Sequence, residues 1–136
     1  MNKRDVLIVG GQGEVRGGIK ALVEAIPEVG QVTCFDDIDR RSDRIAELNP
    51  DLVIFDYSQL NEGYRSRLRQ LRRLLPLTRI LTLVEEEEQR TISRESGADA
   101  ILVKGFRGDL LIRTVRSLIR IGNGRETRIN DNGQEG

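Results

Sequence analysis

Five short runs of consecutive apolar residues punctuate the chain, at residues 5–9, 31–35, 52–55, 79–83 and 100–103. Apolar side chains on successive rather than alternate positions are what a strand carries when both faces of a parallel sheet are covered. Between the runs, apolar residues recur at helical spacing. Ile19, Leu22, Val23 and Ile26 make one face, Leu68, Leu71 and Leu75 another, and Leu111, Val115, Leu118 and Ile119 a third. Pro27 and Pro76 close two of these stretches, and Gly97 stands after the fourth, where a left-handed C-cap is expected. The order is strand–helix repeated five times. It predicts an α/β fold, a doubly wound five-stranded parallel sheet with right-handed crossovers and helices on both faces. Ligands of such sheets sit beyond the carboxyl ends of the strands. The residues placed there are Gly10, Gly11, Asp36, Asp37, Asp56, Val84, Glu85 and Lys104.

The fourth helical stretch is weakly patterned. Glu85 to Glu88 is a run of like charge, and over residues 87–96 only Ile92 is clearly apolar, so a short or mobile helix is expected. From Gly122 to Gly136 the only aliphatic residue is Ile129, which reads as a linker or C-terminal tail following a domain over residues 1–121.

Composition narrows the chemistry. A chain of 136 residues can bury a core without disulfides or metal. Lys+Arg and Asp+Glu are equal at 22 each, so overall charge points to no polyanion and no membrane surface. The single Cys34 fits a reducing cytoplasm, and no segment has the length of a membrane span. Histidine is absent, which removes His-based triads, most zinc sites and a phosphohistidine role. That one zero excludes much catalytic chemistry, and no enzyme is expected.

The runs Val6-Leu-Ile-Val9, Pro50-Asp-Leu-Val-Ile-Phe-Asp56, Thr78-Arg-Ile-Leu81 and Gly97-Ala-Asp-Ala-Ile-Leu-Val-Lys104 together make residues 3–121 resemble a bacterial response-regulator receiver domain. The resemblance is closest to receivers that precede helix-turn-helix output domains. It implies a flavodoxin-like strand order of 2-1-3-4-5 and a role in two-component signalling and transcription regulation. In such receivers a histidine kinase phosphorylates the aspartate matched by Asp56, and the lysine matched by Lys104 contacts the phosphate.

The departures fall on the positions that do this chemistry. The acid pair that helps hold Mg²⁺ is matched by Gly10 and Gly11, the phosphate-gripping Ser or Thr by Val84, and the aromatic switch residue by Ile101. Thr82, two residues before Val84, is expected to face the wrong way along the strand. Asp56 and Lys104 alone sum to zero charge, whereas Mg²⁺ is held by several oxygen ligands and gives up its waters reluctantly. An Asp56–Lys104 ion pair is therefore expected, with no cofactor, in an atypical receiver acting through protein partners: its own output domain, a kinase or another regulator. Two alternatives remain at this point. Asp36 or Asp37 could supply the missing acid, leaving Asp56 a phosphoacceptor with Mg²⁺. The glycine-rich stretch Gly10–Gly17 could instead hold a nucleotide phosphate at a helix N-terminus, with Asp36 on the ribose.

Arg65, Arg67, Arg69, Arg72 and Arg73 line the third helix, with 65, 69 and 72 on a face opposite the leucines. Arginine outnumbers lysine 19 to 3 throughout, so a solvated surface is the expectation, with no direct nucleic-acid contact by this domain and no membrane. A homodimer through the fourth helix, fifth strand and fifth helix is also expected, with Arg113, Arg116 and Arg120 facing Glu85 to Glu88 of a second copy.

Overall fold

The computed structural model describes residues 3–11, 13–56 and 62–121; the expected linker or tail at 122–136 lies outside the described residues. Its elements run β1 (Arg4–Gly10), α1 (Gly13–Glu24), β2 (Val29–Phe35), α2 (Ser42–Leu48), β3 (Leu52–Asp56), α3 (Glu62–Leu74), β4 (Arg79–Val84), α4 (Gln89–Glu95), β5 (Ala100–Val103) and α5 (Gly108–Ile121). The five strands form one parallel sheet in the order β2-β1-β3-β4-β5, as expected. Each apolar run became a strand. β2 starts two residues earlier than its run, because Val29 is buried and the Arg4 amide donates to the Glu28 carbonyl at 2.9 Å.

Consecutive apolar residues serve two cores here, since successive side chains leave opposite faces of a strand. Val6, Ile8, Leu52, Ile54, Leu81 and Leu83 pack beneath α1 and α5, against Ile19, Val23, Leu111 and Val115. Leu7, Val9, Val53, Phe55, Ile80 and Val84 pack on the other face beneath α2 and α3, against Ile45, Leu68 and Leu71. Tyr64, four residues before Leu68, extends that second stripe. It is fully buried, with its ring 5.8 Å from that of Phe55.

The expectation of a short α4 holds, at seven residues. What secures it is polar rather than apolar. Gln89 and Ser93 are buried, Ile92 only partly so, and Ser93 donates to the Gln89 carbonyl at 2.8 Å. Hydrophobic spacing cannot register such an anchor.

At the amino-terminal edge of β4 and β5, Arg72 is not part of a solvated face. Its guanidinium donates to the carbonyls of Gly97 at 2.7 Å and Thr78 at 2.8 Å, and to Asp99 Oδ2 at 2.6 Å. Asp99 Oδ2 also accepts the Ile80 amide at 2.8 Å. Gly97 has a φ of +116°, and a Cβ there would lie 3.1 Å from the Arg72 Cβ. The Gly-Ala-Asp stretch is thus a brace joining α3 to the sheet, on the far edge from Asp56. Arg67 is likewise engaged, at 2.8 Å from Asp39.

Candidate functional site

The carboxyl edge of the sheet gathers six of the residues singled out in the sequence, Gly10, Gly11, Asp56, Val84, Glu85 and Lys104. Gly10 pairs with Asp56 across β1 and β3, Val84 with Val103 across β4 and β5, and the Lys104 amide donates to the Val84 carbonyl at 2.7 Å. The carboxylate of Asp56 is almost completely enclosed, with 1% of its side chain exposed. Lys104 Nζ lies 2.7 Å from Asp56 Oδ1 and 3.1 Å from Glu85 Oε1. The contact to Oδ1 is short but outside hydrogen-bond alignment, so charge rather than directionality holds it; Oδ2 has no hydrogen-bond partner among the described residues.

The expected Asp56–Lys104 pair is present, and it has a third member. Asp56, Glu85 and Lys104 carry −1, −1 and +1, so the cluster sums to −1 rather than zero. Burial alone would push the Lys104 ammonium down. The close contact and charge of Asp56, followed by those of Glu85, outweigh that effect and hold its pKa above the ordinary lysine value. Lys104 is therefore a fixed cation at neutral pH.

Gly10 and Gly11 do more than lack acids. Their φ angles are +87° and +72°, in the left-handed region that side chains rarely adopt. A Cβ on Gly10 would stand 2.1 Å from the Asp56 carbonyl oxygen, and one on Gly11 would stand 2.9 Å from Asp56 Oδ2. The turn approaches Asp56 so closely that only glycine fits along this backbone path.

Asp36 and Asp37 are not brought to Asp56. Asp36 is exposed and paired with Arg16 Nη1 at 2.7 Å, and Asp37 Oδ1 accepts the Arg40 amide at 3.5 Å. Among the described residues no group of three or more Asp, Glu, Cys or His could hold a metal ion. Two carboxylates already sharing an ammonium do not match the octahedral oxygen shell of Mg²⁺.

Val84 and Ile101 are buried aliphatics, which supply neither a hydroxyl nor an aromatic ring. Contrary to expectation, Thr82 shares the Val84 face of β4, because residues two apart on a strand point the same way; it lies one pleat repeat deeper and is fully buried. There it neighbours Tyr64. Burial raises the Tyr64 phenol pKa, while the hydroxyls of Ser93 and Thr82 oppose the shift. In the glycine-rich stretch, Gly17 lies within α1 rather than in a phosphate loop, and the acid placed for a ribose, Asp36, is bound by Arg16 from the same helix. Glu85 as a partner of Lys104 had no local signature, because its role depends on the chain returning through β5.

No family model matches the chain. One curated relative, the transcriptional regulatory protein DegU of Brevibacillus brevis, is 23% identical over 123 residues, covering 89% of this chain and 52% of DegU. The chain thus spans about half the length of the relative it matches. A Salmonella typhimurium RcsB response-regulator structure superposes with a TM-score of 0.77 at 20% identity, covering 90% of this chain and 62% of that one. A LuxR-family two-component response regulator from an Aurantimonas species gives 0.76 at 21%, covering 88% and 86%. The receiver domain of NarL from Mycobacterium tuberculosis gives 0.71 at 21%, covering 85% and 95%. This chain has the flavodoxin-like fold of response-regulator receiver domains.

Proposed function

We propose that this receiver-fold domain is a signalling and protein-interaction module that does not use Mg²⁺-dependent aspartyl phosphorylation. The observation that carries this is the occupied carboxyl edge. The Lys104 ammonium is already held by Asp56 at 2.7 Å and by Glu85 at 3.1 Å. A phosphoryl group arriving on Asp56 would need a divalent cation to offset its charge. The cluster instead carries its own cation, and the turn at Gly10 and Gly11 leaves no room for the further acids a metal would call for. The domain then acts through protein partners, namely its own output domain, a kinase or another regulator. The half-length match to a transcriptional regulatory protein supports a place as the input half of a larger DNA-binding regulator. DNA contact would belong to that output domain.

The test is incubation with Mg²⁺ and a small phosphodonor, read by intact mass. We expect no adduct. A stoichiometric phosphoryl adduct on Asp56 would overturn this proposal and restore the phosphoacceptor alternative.

A further inference from the structure

The contacts that leave the Asp56 pocket close on themselves. From Lys104, Glu85 carries the ion pair into the connection between β4 and α4. There Gln89 Oε1 accepts the backbone amides of both Glu85 and Glu86, each at 2.7 Å, tying the peptide of that acid to the first residue of α4. One turn later Ser93 donates to the Gln89 carbonyl and shares a short hydroxyl–hydroxyl contact with Tyr64 on α3. The Tyr64 ring packs against Phe55, the residue before Asp56 on β3. The ring of contacts thus returns to the strand it left.

Its members differ in exposure. Phe55, Asp56, Tyr64, Gln89 and Ser93 are each no more than 2% exposed, while the Lys104 side chain is 23% exposed and that of Glu85 is 45% exposed. Buried, packed links have few alternative arrangements. A half-exposed ion pair is the weakest link, opening at a cost of roughly 1 kcal/mol or less. We propose that Glu85 is a latch: its ion pair with Lys104 joins the Asp56 pocket to α4, and its release frees the amino-terminal turn of α4. Glu85 acts as a positioning residue in this scheme. The latch rests on the preceding reading only in taking Lys104 as the resident cation of the pocket.

Hydrogen exchange of the full chain, resolved over residues 85–96, tests the latch in the wild type, Glu85→Gln and Glu85→Asp, each at low and raised salt. We expect E85Q to raise α4 exchange about fivefold, the equivalent of an exposed pair at the upper end of its range. Exchange in β1 and β3 should not change. E85D should restore part of the protection, and raised salt should bring the wild type toward E85Q while leaving E85Q itself little changed. Unchanged α4 exchange in E85Q, or a salt response as large in E85Q as in the wild type, would overturn the latch. A phosphoryl adduct on Asp56 would overturn the proposed function while leaving this result standing.

Discussion

Replacing Lys104 with Met should destabilise the domain far more than replacing Asp56 with Asn, although the two residues form one pair. Lys104→Met leaves the Asp56 carboxylate, 1% exposed, without a cation at 2.7 Å. Stranding one member of a buried pair costs about 3 kcal/mol, the low end of the range for such losses, because Lys104 itself keeps some solvent contact. Asp56→Asn keeps the shape of the side chain and removes its charge, while Lys104 still has Glu85 at 3.1 Å; the cost should be about 1 kcal/mol. The double variant removes both charges, and its loss should be smaller than that of Lys104→Met alone, because an uncharged amide is cheaper to bury than a stranded carboxylate. Urea unfolding followed by circular dichroism reads the difference. With a urea slope of about 2 kcal/mol per molar, Lys104→Met should lower the midpoint by about 1.5 M and Asp56→Asn by about 0.5 M. Equal midpoints for the two single variants, or a double variant less stable than Lys104→Met, would refute the idea that the ammonium compensates a buried charge.

Three further outcomes follow from the same geometry. Gly10→Asp should not create magnesium affinity by isothermal titration. It should instead lower stability by about 2 kcal/mol or more in urea, because its φ is +87° and its Cβ would meet the Asp56 carbonyl. Arg72→Met should cost about 3 kcal/mol by the same assay, since it strips charge-assisted hydrogen bonds from the Gly97 and Thr78 carbonyls and from Asp99. Lys104 has a folded pKa raised above its unfolded value of roughly 10.4. Its contribution is therefore complete below that pH and lost as pH rises through the folded pKa. Urea midpoints should fall above about pH 10.4 in the wild type and fall less steeply in Lys104→Met, and parallel alkaline limbs would contradict this.

The sheet was legible in the sequence because it is buried on both faces, and burial on both faces writes an uninterrupted apolar run. The three apolar helical faces were legible for the same reason. α4 was legible only as a weakness. Its anchors, Gln89 and Ser93, are polar residues whose burial is made tolerable by partners on other elements, and a one-dimensional pattern does not show those partners. Glu85 was placed at the correct edge of the sheet, but its pairing with Lys104 spans 19 positions of chain and needs β5 to deliver the lysine. Arg72 looked like its exposed neighbours in α3 because identical side chains differ only in what they meet. At Gly10 and Gly11 the sequence shows the absence of acids, whereas the left-handed backbone is a property of the folded turn.

The turn at Gly10 and Gly11 also bears on substitution. With φ angles open mainly to glycine, and a carbonyl 2.1 Å from where a Gly10 side chain would begin, a single substitution strains the turn before it adds any function. An acid at either position would first have to find the turn rebuilt by other substitutions. The loop therefore limits which side chains this chain can place beside Asp56 in its present backbone path.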